Sequence, residues 1–201
     1  YRDNRAGLYR KNDSARRNAR MDPYALQAWC LHVLSQARKR GLEGLYKPGT
    51  VDEAFLREVA RISVFEEGPK LAVEFLAHHG IALVYARHLP KTYLDGAAMR
   101  TKEEVPVVGV TVRYDRIDSF WFCLLHELAH IGWHLSADLD HIVDDLTLSK
   151  ADHPEDWDKE DEADALAQEA LIPADLWRDQ MLDREATPLR VISLAQMAGV
   201  H

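Results

Sequence analysis

The chain has 201 residues, 47% hydrophobic and 29% charged, with a formal net charge of −8. That composition suits one globular domain, or one domain with a helical extension, with a proper core, and it disfavours a chain that grips a phosphate backbone by itself. No apolar run approaches membrane-spanning length, no apolar h-region follows the basic N-terminus, and Cys30 and Cys123 form neither a Cys-x-x-Cys pair nor a disulfide framework, so a reducing, cytoplasmic setting is expected.

Residues 1–20 carry Arg2, Arg5, Arg10, Arg16, Arg17 and Arg20. The run reads as a solvated helix or linker in preference to a nucleic-acid arm. The chain opens on Tyr1 rather than Met, so a processed or truncated piece of something longer is expected. Asp22-Pro23 is an N-cap followed by proline at the first helical position, and Leu26, Trp29, Cys30, Val33, Leu34 and Ala37 recur at helical spacing, so residues 22–40 are expected to be a helix. A second, short helix runs from Val51 to about Ile62. Gly68-Pro69 opens a third, which ends at His78-His79-Gly80; the paired histidines there suit a helix end better than a metal site.

Three short strands come next: Ile81–Ala86, Leu94–Met99 and Val105–Val112, by β-branched content and length. Gly109 inside the last marks a close backbone approach, a bulge, or nothing at all.

The stretch that follows carries chemistry. Asp115 and Asp118 are N-cap types ahead of an apolar run that contains His126-Glu127-Leu-Ala-His130. Residues four apart lie on one face of a helix, so two imidazoles from His126 and His130 can converge on one cation, with Glu127 one step round as general base to a water on it. The alternative is a core helix that happens to carry histidines, in a chain with ten of them.

Residues 136–158 are acidic and loop-like, without the glycine and spacing of an EF-hand. Helix returns over 158–171, with Ala163, Leu166, Ala167, Ala170 and Leu171 on one face and Pro173 as the stop. Two further helices are expected at about Ala174–Leu182 and Leu189–Met197.

A catalytic zinc needs three protein ligands and an open position. His134 lies roughly 12 Å along a straight helix from His126, too far to share the ion, and is expected to pack or hydrogen-bond beside the site. The longer motif with a third histidine fails, since Gly132 is out of register and position 136 is Ser. Glu160 and Asp164 are a better source. They share one helix face, so one carboxylate can bind the metal while the other accepts the free N–H of a ligating histidine. Glu162 points roughly 200° away from Glu160 and cannot join it. All three acids also read as decoration of a helix N-terminus.

The pairing of His126-Glu127-Leu-Ala-His130-x-x-x-His134 with Glu160-x-x-Ala163-Asp164-x-Leu166-Ala167…Leu171-Ile172-Pro173 resembles the ImmA/IrrE family of zinc metallopeptidases. That family typically reads His-Glu-Leu-Gly-His, then Glu-x-x-Ala-Asn-x-Phe-Ala…Leu-Met-Pro; here Ala129, Asp164 and Leu166 depart from it. Further upstream, Leu94-Asp-Gly-Ala-Ala and Arg113-Tyr114-x-x-x-Asp118-x-Phe120-Trp-Phe look like the subgroup fused to HigA-type antitoxins, whose helix-turn-helix domain is not in this sequence.

The resemblance implies an α+β, zincin-like domain over residues 76–201, its small sheet packed on the His-Glu helix, after an N-terminal helical region over 1–75. It implies Zn²⁺ held by His126, His130 and Glu160, with Glu127 as catalytic base, and Tyr114 is a candidate donor to the oxyanion. The expected substrate is a repressor or antitoxin-like protein. A toxin partner, a homodimer, DNA contact only through the helix-turn-helix domain, and no membrane partner complete the expectation. The alternative is a metal-binding sensing or toxin-binding half of a HigA-like regulator with little proteolysis.

Overall fold

The computed structural model describes residues 22–92, 94–111, 116–135, 154–180 and 186–201. The arginine run over 2–20, Tyr114, and residues 136–153 of the acidic stretch lie outside them. Among the described residues are seven α-helices and one three-stranded sheet, an α+β arrangement.

Helix α1 (Pro23–Arg38) starts as its sequence dictates, with the Asp22 carboxylate accepting from the backbone N–H groups of Tyr24 and Ala25. Helix α2 (Glu53–Arg61) is capped in the same way by Asp52 and runs into a 3₁₀ turn at Ile62–Val64. Helix α3 (Gly68–His78) ends where the paired histidines stand. Their Nδ1–H groups donate to the carbonyls of Glu74 and Phe75, which makes them helix-end residues.

The sheet is mixed. Strand β3 (Pro106–Val110) is central, parallel to β1 (Ala82–Tyr85) and antiparallel to β2 (Gly96–Arg100). Side chains alternate across it with the period of two that a strand imposes. Ala82, Val84, Ala97, Met99 and Val107 face α1, packing with Leu26, Trp29 and Val33. Leu83, Ala98, Val108 and Val110 face the opposite way, into a cluster with Val51, Phe55, Leu56 and Val59 and with the helix that carries the His-Glu motif. Burial on both faces explains why the strands read as continuous apolar runs. Gly109 marks a close approach: a Cβ there would lie 2.8 Å from Trp29 Cη2 and 3.0 Å from Val33 Cγ1.

Helix α4 (Ile117–Ala129) carries His126 and Glu127 and continues into one π-turn at His130–His134, closed by the Leu135 N–H donating to the His130 carbonyl at 2.8 Å. Its start departs from expectation. Arg116 holds the cap position without a side-chain cap, and Asp118 lies inside the first turn, paired with the Arg116 guanidinium. An acid in the first turn is favoured by the helix dipole, and that stabilisation needs no capping geometry. Asp115 lies outside the described residues.

Helix α5 (Pro154–Leu171) starts four residues before the expected position. Proline is well suited to a first helical turn, where its missing N–H leaves no hydrogen bond unmade, so the end of the acidic stretch is helix. Helices α6 (Ala174–Gln180) and α7 (Pro188–Ala198) complete the chain. No helix of the described residues is long and apolar enough to cross a membrane.

The packing of α1 on the sheet yields a stability test. Gly109→Ala forces a methyl into the fully enclosed Trp29 ring, and overpacking of this kind costs ~1–3 kcal/mol. Urea unfolding followed by tryptophan fluorescence should show a lowered midpoint with an unchanged slope.

Candidate metal centre

Helix α4 is apolar around most of its circumference. Leu124, Leu125, Leu128 and Ala129 are fully buried, and Trp121 and Ile131 nearly so. The helix is therefore enclosed, and its polar side chains need partners. For His126 the partners come from α5. Ala163, Ala167 and Ala170 form its buried stripe, in the same apolar cluster as Leu124 and Leu128, and residues this small allow the two helices to approach closely.

The close approach sets three donor atoms together. His126 Nε2 and His130 Nε2 are 3.0 Å apart. Glu160 reaches both, with Oε2 at 3.6 Å from His126 Nε2 and Oε1 at 3.5 Å from His130 Nε2. Each residue offers one ligand atom within 4.8 Å of the others, so the group could hold a metal ion. The spacing also suits the chemistry: a tetrahedral ion with bonds of about 2.05 Å has donor atoms about 3.3 Å apart. Two neutral imidazoles and a carboxylate are the donor set of an open zinc site.

The imidazoles are held from behind. The Nδ1–H of His126 faces Asp164 Oδ1 at 2.9 Å, as the Glu160/Asp164 spacing led one to expect. His130 turns its Nδ1 to His134 Nδ1 at 2.9 Å, so His134 stands beside the site as a neighbour. Phe122 stacks over His126 with ring centroids 6.3 Å apart.

Glu127 is 8% exposed, a carboxylate almost fully enclosed. It projects toward strand β2, where a Cβ on Gly96 would come within 3.0 Å of Glu127 Oε1 and 2.5 Å of Cys123 Sγ. Strand β2 lies at an edge of the sheet. The base candidate therefore lies against an edge strand, at a glycine where a side chain would displace it.

Two residues were missed in the sequence. Gly96 carries no sequence signal beyond the Asp95-Gly96 pair that opens the strand. Glu162 was set aside because it points away from Glu160, and the structure places it on His134, with Oε2 3.1 Å from His134 Nε2. Tyr114 cannot be assigned a place here, being outside the described residues.

No family model and no curated protein matches the chain.

The electrostatics of the group make a pH prediction. Burial works against a charged His126, but the hydrogen bonds it donates to Asp164 and Glu160 and the charges of Glu127 and Glu160 together outweigh it and push the imidazole up to about 10. The folded value lies above the ordinary value of about 6.5. The stability this adds to the metal-free chain is thus fully present below about pH 6.5 and is lost as pH rises through about 10. Urea unfolding in chelator, compared with His126→Gln, should show the advantage of the unaltered chain shrinking between pH 7 and 10, by an amount on the order of a few kcal/mol. A difference independent of pH would refute it.

Proposed function

We propose that the chain is a zinc-dependent metalloendopeptidase domain of ImmA/IrrE type, with a zincin-like core, that cleaves a regulatory protein of the repressor or antitoxin kind. The observation that carries this reading is the convergence of His126, His130 and Glu160 beside an enclosed Glu127. It is supported by the motif order, with two imidazoles from one helix and a carboxylate from the next described helix, and by the donor chemistry.

His126, His130 and Glu160 would hold the zinc ion, which when bound supplies Lewis acidity to polarise a peptide carbonyl and acidify water. The remaining work falls to the chain. Glu127 takes a proton from the attacking water and delivers it to the leaving amine nitrogen. Its burial between α4 and Gly96 keeps the carboxylate dry and directed. Asp164 fixes the ring orientation of His126 and keeps its proton on Nδ1. An extended protein segment would add to the edge of β2 that has no strand partner among the described residues by main-chain hydrogen bonds, which carries its scissile bond past Glu127.

Elemental analysis of the purified chain should find about one zinc per chain, lost in Glu160→Ala. Glu127→Gln should keep the metal and slow the cleavage of helix-turn-helix repressor and antitoxin proteins, followed by mass spectrometry, by about 10²–10⁴-fold. Cleavage undiminished in Glu127→Gln, or a chain that purifies without metal and takes none up, overturns the proposal. Stoichiometric zinc with no cleavage of any candidate, together with copurification of a small toxin, would instead favour the metal-binding half of an antitoxin-like regulator.

A further inference from the structure

His126 and His130 are supported differently. The Nδ1 of His126 meets a carboxylate directly, Asp164. The Nδ1 of His130 meets another imidazole, His134, and only the far nitrogen of that ring meets a carboxylate, Glu162. We infer that His134 and Glu162 form a positioning relay for His130: Glu162 fixes the tautomer of His134, and His134 in turn fixes the tautomer and ring plane of His130. The inference rests on the metal-site reading above.

Each link in the relay has one direction. The Nε2 of His130 is the nitrogen that faces His126 and Glu160, so as a ligand atom it carries no proton. The ring's proton then sits on Nδ1, which donates across the 2.9 Å to His134 Nδ1. Two Nδ1 atoms at that distance cannot both carry hydrogen, so His134 Nδ1 is the acceptor. A neutral His134 then has its proton on Nε2 and donates it to Glu162 Oε2 at 3.1 Å. An ionised carboxylate only accepts, so the chain ends there and cannot run backwards.

The geometry that permits this is specific. The π-turn ends on His134, and its ring centroid lies 5.0 Å from that of His130. The Leu135 carbonyl just beyond it accepts from Arg100 Nη2 at 3.0 Å, which ties the turn to strand β2. The His134 side chain is only 10% exposed, so an unpaired ring nitrogen there would be costly. Glu162 points away from Glu160 around α5, and for that reason it reaches the end of the π-turn and leaves the ion-facing side to Glu160.

Partners of this kind typically contribute 10–100-fold to metal affinity. The test is zinc affinity by competition with a chromophoric chelator, together with the visible absorption of the Co²⁺-substituted protein. His134→Leu is expected to weaken zinc binding by about tenfold or more and to change the Co²⁺ spectrum. Glu162→Ala is expected to weaken it less, in the same direction. His134→Asn, whose amide oxygen can stand where Nδ1 stood, should restore part of the affinity lost in His134→Leu. In the His134→Asn background Glu162→Ala should have no effect, because asparagine has no second ring nitrogen to pass the restraint on.

Equal zinc affinity and an unchanged Co²⁺ spectrum in His134→Leu and Glu162→Ala overturn the relay and leave the metal site standing. So does a Glu162→Ala loss that is the same in both backgrounds. Failure of the unaltered chain itself to bind zinc removes the metal-site reading and the relay with it. Glu162 is half exposed, so its variants keep the test alive if His134→Leu does not fold.

Discussion

The structure depends on how closely α5 lies against α4. Asp164 has one methylene between its backbone and its carboxyl, yet it reaches the Nδ1 of His126 at 2.9 Å. A side chain that short can do so only where the two helices are in direct contact. Ala163, Ala167 and Ala170, all buried, make that possible. Larger residues on the same stripe would hold the helices apart, and the carboxylates would no longer reach the imidazoles. The apolar packing and the polar cluster are two aspects of one contact.

That contact gathers part-exposed carboxylates around largely buried imidazoles. Glu127, Glu160 and Asp164 surround His126 closely enough to hold its proton to about pH 10, although burial alone would strip it. A divalent cation held there would compete with the proton for the same ring, and loading the site would release protons. A surplus of negative charge that would be a liability in an ordinary core is here what makes a cation welcome. The net charge of −8 is partly written into this cluster.

Much of the site could be read in advance because it is local. His126 and His130 at i, i+4, and Glu160 and Asp164 at i, i+4, are each set by the pitch of a single helix, and the alanines that bring the two helices together also recur at helical spacing. What could not be read depends on where one segment meets another. The direction of Glu162 followed from the helix period, but what awaited it there required the π-turn at His130–His134, which no spacing rule announces. Gly96 needed the strand and α4 to be placed before its missing Cβ had a meaning. The start of α4 misled for a simpler reason: Asp118 is a good cap residue and also a good first-turn residue, and only the coordinates choose.

The three acids of α5 divide their work: Asp164 goes to His126, Glu160 lies between His126 and His130, and Glu162 goes to His134. All three are carried on one rigid rod, so they cannot be adjusted separately. A slip of α5 by half a turn, about 2.7 Å, would move every carboxylate off its imidazole at once and take the alanine stripe out of register with α4. The site is thus assembled completely or not at all, together with a large part of the core. A cation that binds only the assembled state stabilises it by mass action, and that stabilisation falls on the α4–α5 contact. Metal loading and the docking of α5 would in this sense be a single equilibrium, set by how tightly two helices pack through three methyl groups.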